Sequence, residues 1–277
     1  MSMEMRDKKR LRIIAVYAAI FIGIIFLIYQ WTRPAPDCFD GKQNQDEQGI
    51  DCGGMCAKKC PIVAEENLIV RQTGYVESGI AGSYDIYAEV ANPNSSVGSG
   101  NFSYKFSVKN SAGEIMAEPA GTSFILPADK KYIIETNVAV KDIPASVELS
   151  VSDPQWVETN DAYEKPELKV VSKNYNEITS GIGFSEATGL LKNESPFSFS
   201  SVNLRIILEN EDGKIVALNS TQMNTVNAGE NRDFRVSWPN RFSGSASKMD
   251  VQIEVNVFDS EAFFRKYFKP ERFQQYQ

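Results

Sequence analysis

Four cysteines near the N-terminus are the residues of this sequence most suited to a chemical role. Cys38, Cys52, Cys56 and Cys60 have the spacing C-x13-C-x3-C-x3-C, within a segment too short to bury a hydrophobic core. Structural zinc sites usually show cysteine pairs separated by two residues, so this spacing favours two disulfides over a zinc ion. The spacing leaves all three pairings of the four cysteines open.

The same segment supplies oxygen ligands at short intervals. Asp40, Asn44, Glu47 and Asp51 follow one another at intervals of four, three and four residues. Calcium binds six to eight oxygens of this kind, and the glycines nearby allow tight turns that fold side chains inward. These four residues are therefore candidate calcium ligands, and a solvated acidic loop between the cross-links is the alternative.

Other reaction chemistry has little support in the sequence. Histidine is absent, which removes the commonest general base and the Ser-His-Asp, Cys-His and His-zinc reaction classes. Acidic residues are numerous, but no pair stands out as the acid and the nucleophile of a glycosidase. We expect no catalytic residues, no enzymatic activity and no cofactor other than calcium.

The overall charge limits the partners of the protein. The chain of 277 residues has 29 Lys and Arg against 36 Asp and Glu, a net charge of −7. Nucleic-acid-binding proteins present a basic surface to phosphate, so we expect no nucleic-acid partner.

A charge-free segment lies between Arg12 and Arg33. Residues 13–32 are mostly apolar and at about 1.5 Å rise per residue would span roughly 30 Å, the thickness of a bilayer core. Tyr29 and Trp31 lie where an interfacial aromatic belt is expected. The segment is therefore predicted to be a transmembrane helix through which the protein contacts the membrane.

The charges that flank this segment predict its orientation. Residues 1–12 are basic, which places them in the cytoplasm and the body outside the plasma membrane. A cleaved signal peptide is the alternative, but Pro34-Ala35-Pro36 is a poor cleavage site. We expect an uncleaved, single-pass signal anchor.

The cysteine segment also carries a longer motif. It reads C-x-D-G-x-x-N-x-x-E-x-x-x-D-C-G-G-x-C, met at Cys38, Asp40, Gly41, Asn44, Glu47, Asp51, Cys52, Gly53, Gly54 and Cys56. This string resembles a short cysteine module found in predicted surface proteins of bacteria and archaea, often beside a membrane anchor or sandwich domains. The resemblance implies a location and no activity.

Beyond this module the chain repeats itself with a period near 100 residues. Residues 105–117 read KFSVKNSAGEIMA and residues 205–217 read RIILENEDGKIVA, so that Gly113 aligns with Gly213. Apolar residues alternate with polar ones, as strands require, and Asn110–Gly113 has the composition of a hairpin turn. The fold predicted is mainly β, with two tandem antiparallel β-sandwich domains.

One further strand is predicted from alternation alone. Tyr132, Ile134, Thr136, Val138 and Val140 occur at every second position and are expected to form a single apolar face.

Each copy is similar to the immunoglobulin-like domains of the FxLYD type. Asn210–Lys214 and Asn227–Glu230 fit the turns of that pattern, whereas the first copy departs from it at Ala112-Gly113 and Pro127–Asp129. The resemblance implies an extracytoplasmic binding or spacer module.

The predicted organisation has seven parts. They are a cytoplasmic basic segment (1–12), a transmembrane anchor (13–32), a cysteine-rich module (33–62), a first sandwich (66–156), a linker (157–165), a second sandwich (166–260) and an aromatic and basic tail (261–277).

The sequence also makes predictions for two tryptophans, for the tail and for glycosylation. Trp238 continues an apolar strand face and is expected in the core, whereas Trp156 belongs to the stretch Asp153–Pro166 that divides the copies and is expected between the domains. The tail is expected to form a short helix that packs its aromatic side chains on the second sandwich, and a partner-docking helix is the alternative. Glycosylation sequons begin at Asn94, Asn101 and Asn219, among other positions.

The sequence as a whole indicates a non-enzymatic, membrane-anchored, extracytoplasmic protein that acts in surface binding, in adhesion or as a spacer. Its expected partners are other envelope proteins or surface ligands. The alternative is a subunit of a cell-envelope assembly or secretion-type complex. A hydrolase that uses carboxylates alone is a third, less favoured function.

Overall fold

The computed structural model describes residues 5–32, 37–44, 46–180 and 182–268. The chain divides into two compact units, Met1–Pro61 and Ile62–Gln277. The first unit contains helix α1 (Met5–Thr32) and the cysteine module, and the second contains the strands. The fold is mainly β, as predicted, and residues 269–277 of the tail lie outside the described residues.

Helix α1 contains the predicted apolar segment and extends it toward the N-terminus. Its stretch Arg10–Trp31 is long and apolar enough to cross a membrane, and none of it is buried within the structure. A membrane anchor and a signal sequence both have this property. The helix therefore fits either an anchor or a signal sequence.

The first sandwich consists of two antiparallel sheets. In one sheet β2 lies between β1 and β6, and in the other β3 pairs with β4, β5 and β7. The strands are β1 (Ile69–Glu77), β2 (Ser83–Ala91), β3 (Val97–Lys109), β4 (Ile115–Ala117), β5 (Ala120–Ile125), β6 (Lys130–Ala139) and β7 (Ser146–Glu158). Their inward side chains form a core around Phe102 and Phe106, both fully buried.

The second sandwich has the same order of strands. One sheet is β8–β9–β12 and the other is β11–β10–β13. The strands are β8 (Leu168–Glu177), β9 (Ser185–Asn193), β10 (Phe199–Glu209), β11 (Ile215–Val226), β12 (Asn231–Trp238) and β13 (Lys248–Glu254). A 3₁₀ turn (Val257–Asp259) and helix α2 (Glu261–Tyr267) follow.

The hairpins that contain Gly113 and Gly213 are built alike. In each, the glycine has a positive φ, 80° and 75°, and donates its N–H to the carbonyl of Asn110 or Asn210 at 3.0 Å. In each, the asparagine side chain accepts the N–H groups two and four residues later. The two copies thus share a turn as well as a strand order.

Strand β6 differs from its prediction. Tyr132 and Ile134 contact the second sandwich, whereas Val138 packs on the core of the first, so the residues do not form one face. The cause is an irregularity between them, where Asn137 has a φ of 57° and donates its N–H to Asp85 at 2.8 Å. A bulge of this kind shifts the alternation by one residue, which turns the following side chains to the opposite face.

The structure shows the positions of both tryptophans and of the first part of the tail. Trp238 is buried in the second core, as predicted, but Trp156 lies within β7 rather than in the linker, because β7 continues as a paired strand to Glu158. Helix α2 packs Phe263 and Tyr267 into the second core, which confirms the prediction of a short packed helix for residues 261–267.

Candidate functional site

The cysteine module is held by two disulfides, as predicted. Cys38 is bonded to Cys56 and Cys52 to Cys60, with Cα–Cα distances of 5.6 and 4.9 Å. The sequence left the pairing open, and the structure shows the overlapping arrangement in which the first cysteine pairs with the third. All four cysteines are therefore oxidised and none can act as a thiolate ligand.

The glycines of the module are required by its tight turns. Gly53 and Gly54 have φ values of 75° and 57°, and a Cβ on Gly54 would lie 1.8 Å from the carbonyl oxygen of Asp46. Asp51, just before them, also has a positive φ of 54°. The chain therefore reverses through three left-handed residues around Cys52, which only glycine and short polar residues adopt readily.

Three of the candidate calcium ligands accept hydrogen bonds within the loop. Both Asp51 oxygens lie within 3.1 Å of the Gly41 nitrogen, and Glu47 accepts the N–H of Asn44 at 3.1 Å. Asp40 accepts the N–H of Lys42 at 2.9 Å and the side-chain amide of Asn44 at 2.8 Å. These bonds give each carboxylate a structural role in the loop.

Two further observations bear on a metal in this module. Asn44 Oδ1 is buried and accepts no hydrogen bond from the residues that the structure describes. Among the described residues, one group of three candidate ligands lies within 4.8 Å, and it consists of Glu47 with the disulfide-bonded Cys38 and Cys56. Because those sulfurs are oxidised, this group is not a thiolate metal site, and calcium binding at Asp40, Asn44, Glu47 and Asp51 stays a prediction.

The second unit contains an extensive contact between the two sandwiches, which we call the sandwich interface. The outer face of the β1–β2–β6 sheet packs on β10 and β11 of the second sandwich. The cluster that joins them consists of Val76, Tyr87, Ile134, Ile207, Ile215 and Leu218. This contact could not be predicted from the sequence, because alternation shows which positions are apolar but not whether they pack inside their own sandwich or against the other one.

A buried ion pair lies in the sandwich interface. Lys131 Nζ is 3.2 Å from Glu254 Oε2, and both side chains are 4% exposed. Arg205 lies 3.4 Å from the other Glu254 oxygen, and Lys131 also lies 3.9 Å from the centre of the Phe124 ring. Burial lowers the pKa of Lys131, and the attraction of Glu254 opposes that effect.

Hydrogen bonds between the Gln252 side chain and the backbone of β6 add to this contact. Gln252 accepts the N–H of Tyr132 at 2.7 Å and donates to the carbonyl of Lys130 at 3.0 Å. One side chain of β13 thus continues the hydrogen bonding of β6, so that the two strands are tied together across the sandwich interface.

A cavity of about 180 Å³ opens beside the ion pair. Its lining includes two carboxylates, Asp129 and Glu254. Asp129 is paired with Lys165 at 2.9 Å, and Glu254 with Lys131 and Arg205. Both carboxylates are therefore held as ion-pair partners.

The segment after β13, residues 255–268, forms what we call the C-terminal strap. Phe258 packs against β3 of the first sandwich, where a Cβ on Gly98 would lie 3.0 Å from the Phe258 ring and one on Gly100 would lie 3.4 Å from it. Asn160 of the linker donates its N–H to the Tyr267 carbonyl at 2.8 Å. Two strand glycines thus admit an aromatic ring from the other domain.

Comparisons with known proteins do not assign this chain to a family. No family model and no curated protein matches the chain. A solved structure titled calcium binding domain CBD12 of CALX1.1 has 13% identity and a TM-score of 0.21, and the match covers 68% of this chain and 82% of that one. Red sea bream transglutaminase has 11% identity and a TM-score of 0.22, with 70% of this chain and 31% of the enzyme covered.

A third solved structure is a Bacteroides uniformis beta-glucuronidase. It has 12% identity and a TM-score of 0.17, and the match covers 67% of this chain and 24% of the enzyme. This chain therefore spans about a third or less of both enzymes. Identities and TM-scores this low give no basis for transferring calcium binding or either enzymatic activity.

Proposed function

We propose that this protein is a non-enzymatic, membrane-anchored protein of the cell surface. In this proposal helix α1 is the anchor, the strands lie outside the membrane, and the two sandwiches act together as a rigid spacer that presents a binding surface. The sandwich interface is the observation that carries the proposal, because a flexible two-domain tether would not need it.

The contacts of the interface support rigidity. The buried Lys131–Glu254 pair joins β6 of the first sandwich to β13 of the second, and its 3.2 Å contact forms only when the two sandwiches hold this relative position. Phe258 and the apolar cluster of the interface add buried contacts between the sandwiches. Together they oppose bending between the sandwiches.

The chemistry of the two units supports export and a binding role. Disulfides such as those of the cysteine module persist in oxidising compartments outside the cytoplasm. In the cavity at the interface, the ion pairs of Asp129 and Glu254 satisfy both carboxylates structurally, which supports a non-enzymatic role.

Distance measurements on the full chain test the spacer proposal. Spin labels carried by unnatural amino acids at the exposed turn residues Ser111 and Asp212 avoid any exchange with the native disulfides. We expect one narrow distance distribution for the protein in lipid nanodiscs, and a broader one after Phe258→Ala. A broad distribution in the unmodified protein would contradict a rigid spacer.

The alternative, a subunit of an envelope assembly, has its own measurement. Gentle solubilisation of the membranes followed by affinity purification should yield the protein without stoichiometric partners if it acts alone. Reproducible copurification of other membrane proteins in fixed ratio would favour the assembly.

A further inference from the structure

The chain contains four asparagines in the sequence pattern for N-linked glycosylation, Asn-x-Ser/Thr. They are Asn94, Asn101, Asn193 and Asn219. We propose that Asn101 is the residue that carries an N-linked glycan. The proposal rests on the export of the sandwiches stated above, since the modification belongs to the exported side.

Asn101 has the geometry that a glycan needs. It lies in β3 at a point where the pairing with β7 is irregular on both sides of it, and its side chain is exposed. The next residue, Phe102, is fully buried, so Asn101 and Ser103 lie on the outer face of the sheet. Within the described residues, the Asn101 amide makes no hydrogen bond, so a sugar attached to it displaces no native contact.

Two of the other asparagines are buried and engaged. Asn94 is 7% exposed, and its amide donates to the Glu66 carbonyl at 2.8 Å and to Asn92 at 2.9 Å. Asn193 is 1% exposed, and its amide donates to the carbonyls of Phe197 and Asn227 at 2.8 and 2.9 Å. A glycan on either nitrogen would break these bonds and has no space in the fold.

Asn219 is intermediate between the exposed Asn101 and the buried Asn94 and Asn193. Its amide donates to the Ser237 carbonyl at 3.1 Å, and its oxygen accepts the N–H of Ser220 at 2.8 Å. A glycan there would replace one of the two hydrogens of an amide that already joins β11 to β12, and so would disturb that contact. Asn101 is therefore the acceptor whose modification leaves the native hydrogen bonds intact.

The reaction transfers a sugar from a glycosyl pyrophosphate donor. The Nδ2 atom of Asn101 forms a bond to the anomeric carbon of the sugar, and the bond from that carbon to the pyrophosphate oxygen breaks. The pyrophosphate leaves with the bonding electrons, and the amide proton passes to a base of the transferase. The product keeps one N–H on the amide nitrogen.

The test uses the full chain expressed in a host that glycosylates exported proteins on asparagine. We expect a glycopeptide containing Asn101 by mass spectrometry, and loss of the glycan in both Asn101→Gln and Ser103→Ala. The matched control is Ser96→Ala, which removes the sequon of Asn94 while keeping that asparagine, and it should leave the mass of the glycoprotein unchanged apart from the substitution.

A second variant separates this proposal from the export of the body. Ser243→Asn creates an Asn-Gly-Ser sequon in an exposed loop, and its glycosylation reports that the body reaches the modifying compartment. A glycan at residue 243 with none on Asn101, or one on Asn94, Asn193 or Asn219 in place of Asn101, would overturn the assignment. A glycan at neither position would overturn the proposed export and the assignment with it.

Discussion

Asp85 is a buried acid whose charge opposes folding. It is 6% exposed in β2, and burial raises the pKa of its carboxyl above the ordinary value, although the Asn137 N–H partly offsets this. The folded state therefore favours the protonated acid. The stability that this group contributes is complete below the unfolded pKa of about 4 and is lost as pH rises through the raised pKa.

The Asp85→Asn variant should remove this dependence of stability on pH. Asparagine keeps an oxygen that can accept the Asn137 N–H but cannot ionise, so the variant should gain stability relative to the original protein as pH rises from about 4 to 7. Each unit by which the pKa of Asp85 in the folded state exceeds its pKa in the unfolded state corresponds to about 1.4 kcal/mol in the free energy of unfolding. Urea unfolding of both proteins across this range measures the effect, and parallel curves would contradict it.

Calcium binding by the cysteine module is a second prediction at this scale. We expect Asp40→Asn and Asp51→Asn each to weaken calcium affinity about tenfold or more, because each removes one negative charge from the candidate ligands. Asp46→Asn is the matched control, since Asp46 is an exposed acid of the same loop outside the four ligands. Calorimetry on the full chain is the measurement, and no calcium uptake at millimolar concentrations would contradict the prediction.

At the level of the residue, the sequence predicted which cysteines are oxidised but not their pairing. The pairing goes with a turn through three left-handed residues, Asp51, Gly53 and Gly54, in which Gly54 is crowded against Asp46. That crowding is a three-dimensional property that spacing does not show.

At the level of the element, the two equivalent hairpins make a quantitative prediction. Gly113→Ala and Gly213→Ala should each destabilise the protein by about 1–2 kcal/mol, because both glycines have a positive φ and open space around them. Backbone strain alone is then responsible for the loss of stability, and the two variants should lose about the same amount. Ser111→Ala in the same turn is the control and should change stability by about 0.5 kcal/mol or less.

Chemical denaturation of the three variants measures this prediction. Unequal effects of the two glycine variants, by more than about 1 kcal/mol, would show that the hairpins are not energetically equivalent. Such a result would argue against an internal duplication preserved at the level of the turn.

The strands show which features of the fold the sequence predicts and which it does not. Alternation indicated the strands correctly, and the Asn110–Gly113 turn followed from its composition. The single face predicted for β6 was wrong because one bulge at Asn137 sends Ile134 to the sandwich interface and Val138 to the first core. Two glycines within β3, Gly98 and Gly100, were a local sign from which the close contact with Phe258 could have been expected.

At the level of the whole molecule, the topology is open to a direct measurement. Protease added to intact cells should digest the sandwiches, while an epitope tag on residues 1–12 should stay protected, since the basic flank favours the cytoplasm. The intact mass of the mature protein should include residues 1–32, because an anchor is not cleaved. Protection of the sandwiches would contradict the orientation, and a mature protein that begins after residue 32 would identify helix α1 as a signal sequence.

In the topology proposed above, the position of Phe258 near the end of the described chain affects the order in which the protein folds during export. With the N-terminus held in the cytoplasm, the first sandwich emerges before the second, and the pocket beside Gly98 and Gly100 stays open until Phe258 arrives. During that interval Val76, Tyr87 and Ile134 face water, since their partners on β10 and β11 have not yet been exported. In that topology the newly exported chain is most exposed to proteases and to self-association just before Phe258 appears.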